Sequence, residues 1–241
     1  MNREKHISSA FDRDLETIQA LAVKMGGMVE AAIYDAATAL ESRDEELAEQ
    51  VRRRDKAIDD LEARLNEDAA RLIALRAPTA TDLRMVLAVM KIAHSLERAG
   101  DHAKNIAKRT HVLSQMPPIE GAGLALRRMS QAVGKMVQDA LDSYIRRDAA
   151  LAEDVRQRDL EVDQMYNALF REFLTHMMED PRNITACMHL HFIAKNVERM
   201  GDLATAIAEQ VIYLVTGVVP EDSRPKDNSV PAIGAGAAAG G

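Results

Sequence analysis

The chain has 241 residues, 47% of them hydrophobic and 29% charged, with 31 Lys and Arg against 38 Asp and Glu. So much Ala, Leu, Val, Ile and Met excludes bulk disorder. The net charge of −7 and only eight Phe and Tyr, with no Trp, argue against general nucleic-acid binding, which needs basic patches and stacking rings. The length suits one large domain or two smaller ones. A core poor in aromatics fits helix packing better than strand pairing.

Helices are expected throughout. Leu15, Ile18, Ala22, Met25, Val29, Ala32, Ala36 and Ala39 form one unbroken apolar stripe at helical spacing. After a Ser42-Arg43-Asp44 turn, a second helix places Leu47, Val51, Ile58, Leu61, Leu65, Leu72 and Leu75 inward. A third starts beyond Pro78, where Thr79 or Thr81 can cap and Asp82 favours the helix dipole, and runs to Leu113. Residues 114–123, with two prolines and two glycines, read as a linker. Three more helices follow over 124–147, 148–178 and 183–216, with Asp180-Pro181 as a cap and first-turn pair for the last. The fold expected is all-α: six long helices as two homologous three-helix bundles, 1–113 and 124–216. The three prolines and five glycines of 217–241 mark a disordered tail.

Cys187 stands alone, so no intramolecular disulfide can form and the residue is expected to pack as a small hydrophobe. Residues 1–16 contain no apolar signal-peptide core. The longest strongly apolar run, Met85 to Met90, is far short of a membrane span. A cytoplasmic protein is expected.

Comparing the halves exposes a duplication. Arg43-Asp44, Leu47-Ala48-Glu49, Val51-Arg52, Arg54-Asp55 and Asp59 recur 104 residues later as Arg147-Asp148, Leu151-Ala152-Glu153, Val155-Arg156, Arg158-Asp159 and Asp163. Ile92-Ala93, Glu97-Arg98, Gly100-Asp101 and Ala103 recur 101 residues later as Ile193-Ala194, Glu198-Arg199, Gly201-Asp202 and Ala204. Asp55 with Asp59, and Glu97 with Asp101, each put two carboxylates on one helix face, and Asp159 with Asp163 and Glu198 with Asp202 repeat this. An unaided like-charge pair of that spacing costs about 0.2–0.5 kcal/mol.

Two readings explain such pairs. Arg98 with Asp101, Arg199 with Asp202 and Arg52 with Asp55 can form ion pairs within a helix. Alternatively, four carboxylates converge between neighbouring helices around a hard, oxygen-preferring cation, magnesium, manganese, calcium or iron, with zinc the less usual occupant because it more often takes His or Cys. Gly100 and Gly201 lie mid-helix, where each costs about 1 kcal/mol against Ala, and so point to close helix approach. His94 shares a face with Glu97, Asp101 and Asn105. Its counterpart is Lys195, so a symmetric site leaves it out. His189 and His191 read as solvated or packing residues. No Glu-x-x-His pair of di-iron enzymes and no Walker-type phosphate loop occurs.

Glu97-Arg98-Ala99-Gly100-Asp101-His102-Ala103-Lys104-Asn105, its partner Glu198-Arg199-Met200-Gly201-Asp202, and Pro78-x-Ala80-x-Asp82-Leu83-Arg84 upstream resemble the motifs of the PhoU family, the accessory proteins of phosphate-specific transport systems. The resemblance spans residues 6–216. It implies paired three-helix bundles. It also implies metal binding, with iron, zinc, magnesium or manganese, at Asp55, Asp59, Glu97 and Asp101, and again at Asp159, Asp163, Glu198 and Asp202. Ala206 in place of Asn105 separates the two sites. The family further implies a non-enzymatic homodimer that represses the phosphate-starvation response. Its implied partners are the ATPase subunit of a phosphate ABC transporter and a phosphate-sensing histidine kinase, so that it contacts membrane complexes only peripherally. A carboxylate-bridged metalloenzyme and a purely structural helical repeat are the alternatives.

Overall fold

A computed structural model describes residues 2–220, with side chains from residue 10 onward. Six long α-helices follow one another: α1 (Asn2–Ser42), α2 (Glu45–Arg76), α3 (Ala80–Ser114), α4 (Ala122–Arg146), α5 (Ala149–Glu179) and α6 (Ile184–Thr216). No strand occurs among the described residues, and none of the helices is long and apolar enough to cross a membrane. The tail expected over 217–241 lies outside the described residues from Glu221 onward.

The duplicated Arg-Asp dipeptides prove to be helix punctuation. Arg43 (φ 58°) and Arg147 (φ 55°) adopt the left-handed conformation that ends α1 and α4. The Asp that follows caps the next helix: Asp44 accepts from the Leu47 amide, and Asp148 from those of Ala150 and Leu151. Thr79 sits at the start of α3 without a side-chain cap bond, its hydroxyl donating instead to Asp82. Asp180 and Pro181 open not α6 itself but a single 3₁₀ turn, Pro181–Asn183, from which α6 continues.

Within each half the three helices pack on one another, and the halves join where α1 meets α4 and α3 meets α6. Helices α2 and α5 contact only helices of their own half. The α1 stripe is buried as its spacing predicts except at Ala32, which is half-buried while the adjacent Ile33 is enclosed, and Cys187 is wholly enclosed. Leu75 departs from expectation. Buried α2 positions run Ala48, Val51, Asp55, Ile58, Leu65, Ala69 and Leu72. That alternating 3–4 step next reaches Arg76, so Leu75 falls off the seam and is exposed.

Candidate functional site

The acidic pairs lie where α2 meets α3 and where α5 meets α6. Gly100 and Gly201 set the spacing there. A Cβ on Gly100 would stand 3.1 Å from Ile58 Cδ1 and 3.6 Å from Asp55 Oδ1. One on Gly201 would stand 3.4 Å from Asp159 Oδ1. Bare backbone at these points lets a buried aspartate of the neighbouring helix lie against it.

In the first half, Asp55 and Asp101 come together through a cation that the sequence reading did not assign. Lys104 Nζ lies 2.5 Å from Asp55 Oδ2 and 3.4 Å from Asp101 Oδ1. The hydrogen bond to Asp55 raises the ammonium's pKa above its ordinary value. The expected Arg52–Asp55 pair does not form. Asp55 faces the α3 seam, whereas Arg52 points outward and pairs with Glu49 at 2.6 Å. Asp101 takes Lys104, not Arg98. Asp55 Oδ1 remains buried with no hydrogen-bond partner.

Asp59 and Glu97 feel the rest of the set. Burial raises the Asp59 pKa, and the charge of Asp55 adds to this. Burial likewise raises Glu97, reinforced by Asp101, Glu62 and Asp59. Asp59 thus lies in the field of Asp55 and Asp101, and Glu97 in that of Asp101, Asp59 and Glu62. Sequence reasoning missed Glu62, although its position seven residues after Asp55 and three after Asp59 marks the same α2 face.

The second half solves the charge problem differently. Thr205 replaces Lys104 and turns its hydroxyl onto the Gly201 carbonyl. The cation comes from Lys195, whose Nζ lies 2.6 Å from Glu198 Oε1, while Glu198 Oε2 is buried without a hydrogen-bond partner. Lys195 also sits 5.2 Å above the Tyr166 ring. Asp159 is buried. Asp163 and Asp202 lie on α5 and α6, and each of these three aspartates has interaction partners of its own. His191 packs among the rings of Tyr166, Phe170 and Phe192, as a packing residue should.

The donor set of the first half fits a hard cation. It is all carboxylate apart from the Lys104 ammonium, and the buried Asp55 Oδ1 has no hydrogen-bond partner.

Comparison with known proteins settles the family. The model of the PhoU domain matches residues 22–110 and again 126–211, one match in each half of the duplication. The chain belongs to the PhoU family. It is 48% identical over 223 residues to the "Phosphate-specific transport system accessory protein PhoU homolog" of Zymomonas mobilis, spanning 92% of this chain and 94% of that one. The crystal structure of PhoU from Pseudomonas aeruginosa superposes with a TM-score of 0.84 at 40% identity, covering 86% of this chain and all of that one. The phosphate transport system regulatory protein PhoU from Streptococcus pneumoniae gives a TM-score of 0.81 at 31% identity, over 88% and 99% of the two chains. These PhoU relatives are accessory and regulatory proteins, not enzymes.

Proposed function

We propose that this protein is a cytoplasmic regulator of phosphate uptake that holds the phosphate-starvation response down when phosphate is plentiful. It does so by connecting the ATPase subunit of a phosphate ABC transporter to a phosphate-sensing histidine kinase. The observation that carries this reading is the 48% identity, over nearly the full length of both chains, to a protein named for accessory function in phosphate-specific transport. Long exposed helices provide the docking faces such a role needs. The carboxylates Asp55, Asp59, Glu97 and Asp101, and their repeat Asp159, Asp163, Glu198 and Asp202, serve in it as structural or regulatory cation sites. A bound ion there supplies positive charge to carboxylates that otherwise repel one another.

A strain lacking the protein tests the regulatory role. Phosphate-starvation genes are expected to be expressed in phosphate-rich medium, and their continued repression would refute it. Purified transporter ATPase subunit and kinase are each expected to be retained by the immobilised full-length protein. Retention of neither would remove the proposed linkage.

A further inference from the structure

Glu62 on α2 and His94 and Glu97 on α3 bring one potential ligand atom each to within 4.8 Å of one another. His94 Nδ1 and Glu62 Oε1 are 3.2 Å apart. Two ligands about 2.1 Å from a tetrahedral zinc ion stand roughly 3.4 Å from each other, so the spacing is one a single ion spans. One imidazole and two carboxylates are a donor set for zinc and its neighbours, unlike the all-oxygen set beside it.

The duplication supplies an internal control. Glu62, His94 and Glu97 correspond to Tyr166, Lys195 and Glu198. In the second half the chain provides its own cation, Lys195, which lies against Glu198 and over Tyr166. In the first half the equivalent of that lysine is an imidazole, and the equivalent of the tyrosine is a second carboxylate. One half therefore carries a built-in positive charge at this point, and the other carries the ligands for one. Lys104 does not fill the role, because it is engaged by Asp55 and Asp101, and Arg84 and Lys91, which line the same cleft, form no ion pair with Glu62 or Glu97. Access is open: His94 is largely exposed, and with Glu62 it lines a cleft of about 850 Å³ shared by α2, α3 and α6, whose walls include Leu83, Arg84, Leu87 and Tyr213. A fourth coordination position is left to water from that cleft.

We propose that Glu62, His94 and Glu97 bind one divalent ion of the zinc class, a site present in the first half only. It goes beyond the carboxylate reading above and shares Glu97 with it, so the substitution at His94, which is no member of that carboxylate set, addresses it alone.

The test is zinc titration of chelator-stripped full-length protein by calorimetry, with the His94 ring followed by NMR. Zinc is expected to shift the His94 ring signals. His94→Lys, which copies the second half and so preserves the fold, is expected to remove one zinc equivalent, and Glu62→Gln to weaken that equivalent by about tenfold or more. Asp55→Asn with Asp59→Asn should leave the His94 response in place, whatever happens to the carboxylate set. Unchanged zinc binding in both His94→Lys and Glu62→Gln, or zinc binding without any response of the His94 ring, would overturn the proposal.

Discussion

Lys104 Nζ makes its closest contact with Asp55, a carboxylate only 4% exposed, and thereby fixes α3 to α2. Removing one partner of such a pair strands the buried charge. Lys104→Met is expected to cost about 1–3 kcal/mol, below the value for a fully enclosed pair because the lysine is partly in solvent. Urea denaturation measures it. The folded pKa of Lys104 is raised above 10.5, so the contribution is fully present below the unfolded value and fades as pH climbs through the folded one. The stability gap between wild type and variant should therefore close above about pH 10.5 and hold steady from pH 6 to 9. A gap that is constant into the alkaline range would show that the bond contributes no stability.

Asp59 and Glu97 have the opposite character. Their carboxyl pKa values are raised from 3.8 and 4.5, by burial first and neighbouring acids second. A raised acid stabilises the fold below its unfolded pKa and loses that contribution as pH rises through the folded value, so at neutral pH both ionised groups are liabilities. Asp59→Asn and Glu97→Gln are each expected to stabilise chelator-treated protein at pH 7 by a few tenths of a kcal/mol, solvent screening keeping the effect small. The gain should vanish below about pH 4. Thermal melts in chelator read the gain. Added divalent ions are expected to stabilise wild type and to have little effect on these variants.

Two adjacent glycines in α1 should respond with opposite sign. A Cβ at Gly27 meets nothing within 4 Å, whereas one at Gly26 collides with Leu141 Cδ1 across the α1–α4 seam. Gly27→Ala is expected to gain up to about 1 kcal/mol from helix propensity alone. Gly26→Ala should lose about 1–3 kcal/mol by overpacking a buried leucine. Equal effects in denaturation would mean that the seam is not close-packed at this point.

Arg43 and Arg147 share a left-handed backbone but not a role. The Arg43 guanidinium donates to the carbonyls of Leu113 and Met116, closing the end of α3 and holding the connector to α4. Arg147 lies over its neighbour Tyr144 with 5.2 Å to the ring centre. Glycine relieves the backbone at either position. Arg147→Gly should therefore stay within about 0.5 kcal/mol of wild type, and Arg43→Gly should cost about 1–2 kcal/mol. Guanidinium unfolding of the two variants side by side distinguishes the cases.

What could be read from the chain beforehand divides along a physical line. Proline positions and the 3–4 apolar rhythm located the six helices, because both act through local backbone geometry. The duplication and the two mid-helix glycines located the α2–α3 and α5–α6 contacts. Partner choice among charges was not legible. Arg52 and Lys104 both stand three residues from an acid of the set, and only the rotation of α2 about its axis decides that Asp55 turns from the first to the second. Glu62 went unnoticed because its counterpart is Tyr166, so a search for repeated residues passes over it. Leu75 looked inward on hydrophobicity alone, and the seam's own period excludes it. The repeated ion pairs Arg54–Asp35 at 2.9 Å and Arg158–Asp139 at 2.8 Å also escaped, since their acids lie on the preceding helix outside the matched blocks.

Because α2 and α5 touch only their own halves, α1, α3, α4 and α6 form the joined centre of the molecule, and α2 and α5 pack on it as outer helices, one in each half. The acid sets sit in the α2–α3 and α5–α6 seams that hold these outer helices. The amides of the four central helices should be the last to exchange with solvent and those of α2 and α5 the first. Charge at these seams is expected to set how tightly α2 and α5 pack, with little effect on the four helices that join the halves. Loading the proposed cation site of one seam and not the other is expected to alter the packing of α2 or of α5 alone, because neither helix contacts the opposite half.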